Sequence, residues 1–333
     1  MTAIASPLLR IRDLSVTYRA GTKPVEVVRS VNLDVGAGEV VGVVGESGSG
    51  KTQLLLSILG LNTRAQLHGS IRYLDQELIG LPLARLNQVR GARIAMVFQD
   101  PMTALNPYLT VGRQITEVVR VHRGLSARAA EHAAVAMLES VHMPEAQRQL
   151  RRYPHELSGG MRQRAMIAMA LIAEPQVLLA DEPTTALDVT VQAQILSLLR
   201  ELRGRTGIAM VLVTHDMGVI AEIADRVAVM YAGSIVEQAP VDELFNHPRH
   251  PYTEALQHCV PRLDTPVTSR LASIGGVPPD PAALPAGCPF APRCAYRLDI
   301  CQSVAPPLLE AAPGHWKACH YGHALGKMRV EAA

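Results

Sequence analysis

The sequence predicts an α/β fold. Its parts are a phosphate-loop core with a mostly parallel sheet, an N-terminal antiparallel β-subdomain, a helical insertion and a small Cys-rich C-terminal extension. Three observations carry this. Short apolar runs at 40–44, 94–98, 177–180, 208–213 and 226–231 are separated by helical stretches, as buried parallel strands should be. The first run leads into Gly45-Glu46-Ser47-Gly48-Ser49-Gly50-Lys51-Thr52 and a Leu-rich helix, which is the strand, loop and helix of a phosphate-binding loop. Between the second and third runs, about 50 residues read as helices.

Composition narrows the function. At 333 residues and 48% hydrophobic, the chain is long and apolar enough for a large core. A net charge of +2 gives no nucleic-acid footprint. No run of about 18 apolar residues appears, since the longest candidate, 165–180, is broken by Glu174-Pro175. The first residues lack a basic segment and a long apolar core. The expectation is a soluble, cytoplasmic protein.

The elements follow in order. Residues 8–18 alternate apolar and polar, as a half-buried strand does, and 25–35 read as another. Tyr18 closes the first; it is a strand-packing residue or a ring on which a base stacks. In the loop, Gly45, Gly48 and Gly50 let backbone N–H groups turn toward phosphate oxygens. The helix after it aims its N-terminus at the same anion. Lys51 would reach the β- and γ-phosphates, and the Thr52 hydroxyl would hold Mg²⁺. Residues 69–75 read as strand and turn. Gln99 ends the 94–98 strand, either as an ordinary polar stop or facing a nucleotide.

Residues 111–123 and 127–141 read as the insertion helices. Then Ser158-Gly159-Gly160-Met161 opens another helix. Ser158 caps it, and the two glycines make its end either a second anion-binding site or a plain cap. The 177–180 strand ends in Asp181-Glu182. Beside a phosphate loop, Asp181 suits Mg²⁺ and Glu182 suits the general base for an attacking water. Thr185-Ala186-Leu187-Asp188 precedes a helix over 189–202. His215, at the end of the 208–213 strand, could contact a γ-phosphate. Residues 226–231 read as the last core strand, completing a doubly wound sheet.

In this order the motifs resemble those of the ATP-binding-cassette (ABC) ATPases. They are the glycine loop, Gln99, Leu157-Ser158-Gly159-Gly160-Met161, Asp181-Glu182, Ala186-Leu187-Asp188 and His215. Phe98-Gln99-Asp100-Pro101, Tyr153-Pro154-His155-Glu156 and His250-Pro251-Tyr252-Thr253 are similar to the oligopeptide/dipeptide and nickel importers of that family. The resemblance implies a nucleotide-binding domain over 1–255, with the helical subdomain at about 103–172, and an extension over 256–333. It implies ATP and Mg²⁺ as ligands, with Tyr18 on adenine and Gly45 to Gln53 around the phosphates. Thr52, Gln99 and Asp181 would serve the metal. Glu182, His215, Gln99 and Lys51 would serve hydrolysis. Ser158, Gly159, Gly160, Met161 and Asp188 would face the nucleotide of a partner, so ATP sits between two subunits. Met161 departs from the usual Gln of most cassettes.

The implied partners are a second ATPase chain, typically a paralogue arranged head to tail, two transmembrane permease subunits and, indirectly, an extracytoplasmic binding protein. Nucleic acid is not among them, and the implied place is the cytoplasmic face of the inner membrane. The implied activity is ATP hydrolysis driving peptide import, with nickel or another small solute as the alternative cargo. A cassette ATPase acting on DNA or the ribosome lacks the paired cassettes, coiled coils or basic arms expected of it. A phosphate-loop kinase leaves Ser158 to Met161 without a purpose.

From about residue 257 the composition shifts to Pro, Gly and Ala, and residues 278–281 and 284–287 read as loop. Of the 5 Cys, none lies in the first 250 residues and four lie after 285: Cys288, Cys294, Cys301 and Cys319. That grouping points to a metal site rather than a disulfide framework. Spacing does not choose between Zn²⁺ and an iron–sulfur cluster. The resemblance implies a [4Fe-4S] cluster, with Zn²⁺ as the alternative.

Overall fold

The computed structural model describes residues 7–20, 23–185, 187–259, 273–323 and 325. Twelve strands appear among them: β1 (Leu9–Ala20), β2 (Lys23–Val35), β3 (Val40–Val44), β4 (Ala65–Tyr73), β5 (Gln76–Glu77), β6 (Ile94–Val97), β7 (Val177–Asp181), β8 (Ala209–Thr214), β9 (Arg226–Tyr231), β10 (Ser234–Pro240), β11 (Leu309–Ala312) and β12 (His315–Lys317). Contacts divide the described residues into two units. The helical unit comprises Val35–Glu39 and Gly80–Leu212, and the loop unit comprises the rest.

In the loop unit, β3 pairs in parallel with β9, from Val41 opposite Arg226 to Val44 opposite Val229. Antiparallel strands extend that sheet in the order β9, β10, β12, β11. Val40, Val41, Val43 and Val44 have no exposure. Each such side chain contributes roughly 1.5–3 kcal/mol by leaving water. That burial explains why the run is apolar throughout rather than alternating. A second sheet has the order β2, β1, β4, β5, with β1 antiparallel to β4 and β4 to β5. This is the expected antiparallel β-subdomain. Helix Lys51–Ile58 follows the glycine loop and buries Leu54, Leu55 and Ile58 completely.

In the helical unit, β7 lies between β6 and β8, and β6 runs parallel to β7 from Ile94 opposite Val177 to Val97 opposite Ala180. The insertion is helical as expected. Helix Val111–Arg123 starts on the Thr110 hydroxyl and stops at Gly124, whose φ of 65° suits glycine. Helix Ala127–Ser140 starts on Ser126. Helix Gly159–Leu171 starts on Ser158, and helix Val189–Thr206 starts on Asp188 and ends at Gly207. No helix among the described residues is long and apolar enough to cross a membrane.

Among the described residues Arg226–Tyr231 is the last parallel strand, and β10 turns back on it antiparallel through Ala232 and Gly233. Residues 278–281 and 284–287 lie outside helices and strands, as expected, and farther on β11 and β12 form a hairpin with β12 against β10. Both strands are short and largely exposed or intermediate, so their side chains carry no clear period.

Candidate nucleotide site

The phosphate loop is shaped by contacts that leave no space for side chains at its ends. A Cβ on Gly45 would lie 2.1 Å from the Met230 carbonyl oxygen and 2.9 Å from Ser49 Oγ. Gly50 has a φ of +100°, and a Cβ there would lie 2.5 Å from the Val27 carbonyl oxygen. Lys51 is buried and folds across the loop. Its ammonium donates to the carbonyls of Gly45 at 2.7 Å and Glu46 at 2.8 Å. Helix Lys51–Ile58 begins at Gly50 with no side-chain cap, so its first turn presents positive dipole and N–H groups. Ser49 Oγ, buried in the same loop, has no hydrogen-bond partner. An uncapped helix end, a glycine cradle and an orphaned hydroxyl together fit a phosphate oxygen.

Tyr18 and Gln53 are joined here, because the Tyr18 hydroxyl donates to Gln53 Oε1 at 2.6 Å. The Tyr18 ring is half-buried, and burial pushes its phenol pKa up. Thr52 is exposed at the helix start and Ser47 at the loop crest. His215 belongs to the same unit and is exposed, one residue before Asp216, which caps helix Met217–Ile223.

The remaining candidates stand in the helical unit. Asp181 ends β7 and is 3% exposed. Glu182 follows with a φ of +44°, a left-handed conformation uncommon for a non-glycine residue. Its Oε2 accepts from the Thr185 hydroxyl at 2.8 Å and from Gln99 Nε2 at 3.3 Å. The turn and these two donors aim the carboxylate. Asp181-Glu182 was legible as a motif, whereas Thr185 was missed as the partner of Glu182. Its place three residues on, across a tight turn, was the available signal.

Ser158 Oγ accepts from Met161 N at 3.3 Å and caps its helix. A Cβ on Gly160 would lie 2.8 Å from Val191 Cγ1, so this glycine lets the helix end pack closely on helix Val189–Thr206. Asp188 accepts from Val191 N at 2.9 Å. Ser158, Gly159, Gly160, Met161 and Asp188 line one open groove of about 480 Å³ together with Arg164. Ala186, between Thr185 and Leu187, lies outside the described residues.

The expected iron–sulfur cluster is not supported. Among the described residues, no group of three or more His, Cys, Asp or Glu is placed to hold a metal ion. Cys288, Cys294, Cys301 and Cys319 do border one cavity, but it holds only about 10 Å³, roughly one water. Burial pushes the thiols of Cys288 and Cys319 up, and that of Cys294 to about 12. No zinc site is placed there among the described residues either. These cysteines behave as small apolar side chains among Phe290, Ala291 and Pro306. Their spacing suggested ligation because close sequence grouping does not distinguish a ligand set from a packed cluster.

Comparisons with known proteins agree with the geometry. Residues 28–185 match the family described as ABC transporter. Residues 236–301 match the oligopeptide/dipeptide transporter C-terminal region. The chain is 48% identical over 316 residues to the oligopeptide transport ATP-binding protein OppD of Salmonella typhimurium, covering 95% of this chain and 94% of that one. It is 46% identical to the protein of the same name from Haemophilus influenzae, over 94% of this chain and 97% of the other. Among solved structures it is similar to the ATP-binding cassette MJ0796, in a dimeric post-hydrolysis state bound to ADP and phosphate. There the TM-score is 0.64 at 30% identity, covering 70% of this chain and 98% of that one.

Proposed function

This chain belongs to the ABC transporter family and is the ATP-binding, ATP-hydrolysing subunit of a peptide importer; from that premise we propose how its residues divide the work. The observation that carries the reading is the phosphate cradle, with its crowded glycines, folded-over Lys51 and uncapped helix start.

Adenine stacks on Tyr18, and Gly45, Glu46, Ser47, Gly48, Ser49, Gly50 and Gln53 form the walls around the phosphates. Lys51 swings from the loop carbonyls to the β- and γ-phosphates, exchanging neutral acceptors for charged ones. Thr52, Gln99 and Asp181 are the residues that would hold Mg²⁺, which supplies charge neutralisation on the triphosphate when bound. Glu182 takes the proton of the attacking water, held for that task by Thr185 and Gln99. His215 orients the same water toward the γ-phosphate.

Ser158, Gly159, Gly160, Met161 and Asp188 act on the nucleotide of a second ATPase subunit, a paralogue arranged head to tail. That assembly powers two permease subunits on the cytoplasmic face of the membrane, fed by an extracytoplasmic binding protein. The support is the MJ0796 cassette, which is dimeric, and the transport named for the relatives. We place the division between the nucleotide-binding domain and the extension near residue 255.

ATP hydrolysis by the purified chain with its membrane partners tests the reading. Wild type should turn over ATP, and Lys51→Ala should lose at least about a hundredfold in kcat/KM, as expected when a charge-assisted phosphate contact goes. Equal turnover by the two proteins would refute it.

A further inference from the structure

Arg293, in the Cys-rich extension, reaches back 247 residues to the phosphate loop. It donates to both carboxylate oxygens of Glu46, at 2.6 and 2.9 Å. The other donors are also engaged: one to the Tyr231 hydroxyl at 3.3 Å, one to the Ile274 carbonyl at 3.2 Å and Nε to the Gly275 carbonyl at 2.9 Å. All five N–H groups of the guanidinium therefore have an acceptor. The side chain is 3% exposed, that of Glu46 26%. The guanidinium carbon lies 5.9 Å from the Tyr231 ring centroid and 6.0 Å from that of Phe290.

Glu46 is the second residue of the loop, and it is gripped at three points. Arg293 holds its carboxylate, Lys51 donates to its carbonyl, and its backbone N–H donates to the Tyr252 hydroxyl at 2.8 Å. Tyr252 is fully buried against Tyr231 and Phe290. An ion pair placed only to anchor a surface segment would not need a fully satisfied, buried fork on a loop that must fit a triphosphate.

We propose that Arg293 is a positioning residue for nucleotide binding: through Glu46 it presets the phosphate loop, so the C-terminal extension is a working part of the nucleotide site. The pairing has two effects on the bound anion. It fixes the loop backbone before ATP arrives, which lowers the ordering cost of binding. It also neutralises a carboxylate that would otherwise face the triphosphate in a half-buried setting.

This deepens the ATPase reading and rests on it. The test is equilibrium binding of a fluorescent ATP analogue with Mg²⁺ to the full chain, alongside thermal melting and saturating-ATP turnover with the membrane partners. Arg293→Gln should weaken binding by about tenfold or more, the scale of one lost charge-assisted contact. Turnover at saturating ATP should stay within about threefold of wild type, because Arg293 touches no reacting atom. Arg293→Lys should recover part of the loss. The double variant Glu46→Gln with Arg293→Gln should bind better than Arg293→Gln alone, since no unpaired carboxylate remains.

Unchanged affinity in Arg293→Gln, with only the melting temperature lowered, would assign the pair to anchoring alone and overturn the proposal while leaving the ATPase reading intact. If Arg293→Gln does not fold, Arg293→Lys decides the matter, because affinity equal to wild type in that variant would overturn the proposal too. Failure of wild type to bind the analogue would overturn both.

Discussion

Gly45→Ala puts the phosphate cradle to its most direct structural test. The added Cβ would sit 2.1 Å from the Met230 carbonyl oxygen, more than 1 Å inside ordinary contact, and 2.9 Å from Ser49 Oγ. Neither neighbour can retreat freely. Met230 is fully buried in β9, which pairs in parallel with β3, and Ser49 is buried within the loop. The loop must therefore shift by about 1 Å, at an overpacking cost of roughly 1–3 kcal/mol. At the usual scaling for a unit of this size, that lowers the melting temperature by roughly 2–12 °C.

A 1 Å shift also pulls backbone donors off the phosphates. Two charge-assisted contacts at roughly 1.5 kcal/mol each correspond to an affinity loss of more than about a hundredfold. Gly48→Ala is the comparison, because a Cβ there meets nothing within 4 Å. Its φ of +79° imposes only backbone strain, roughly 1–2 kcal/mol. Titration of a fluorescent ATP analogue and thermal melting read both variants. If Gly45→Ala bound within twofold of wild type and melted normally, the steric account of the loop would be wrong. The same holds if Gly48→Ala lost more melting temperature than Gly45→Ala.

Two further outcomes concern His250 and Glu237, buried residues that interact with Lys317 and His315 of the extension. Burial holds the His250 imidazole neutral and lowers its pKa to about 4, against the opposing pull of Glu237 and with the help of Lys317. Its Nδ1 accepts from Tyr252 N at 3.1 Å, which only a neutral ring can do. The unfolded imidazole protonates near 6.5. Between about pH 6.5 and 4 the unfolded state therefore holds more protons, and stability falls as pH drops through that window, by up to roughly 3 kcal/mol. Denaturant midpoints across pH 4–7 in wild type and His250→Asn check this, and an equally steep acid limb in the variant would contradict it. Glu237 is fully buried and accepts from Arg249 N, His250 N and His315 Nε2 at 2.5, 3.1 and 2.7 Å. Glu237→Ala should cost roughly 3–5 kcal/mol, since buried donors lose their acceptor. Protease sensitivity between 300 and 323 should rise with it, and a melting temperature unchanged from wild type would contradict the role assigned to this carboxylate.

Some of this was legible in the sequence because it is local. The run 40–44 is a strand with the same bounds in the structure, and so is 226–231. Both are apolar enough to be buried on two faces. Ser158 caps its helix, as a polar side chain before a helix suggests. The extension was harder to read. β11 and β12 are short and largely exposed or intermediate, and β12 pairs with β10 over some 80 residues of separation. Arg293 carries no local pattern that points to Glu46. The four cysteines were over-read, since their closeness in sequence looks the same whether they ligate a metal or pack against Phe290. Glu182 stands out in the sequence only by its type and place after a strand, and its positive φ and its hold by Thr185 depend on a turn that composition does not reveal.

ATP hydrolysis on this chain drives peptide uptake. Proteoliposomes carrying the chain, its partner ATPase and the permeases, loaded with binding protein and labelled peptide on one side and ATP on the other, measure it directly. Wild type should move peptide only with ATP. Glu182→Gln should bind ATP with near-normal affinity and yet lose roughly a hundredfold or more in both hydrolysis and uptake, the scale of a lost general base. Peptide uptake at the wild-type rate by Glu182→Gln, or ATP hydrolysis by wild type with no peptide moved, would contradict the account.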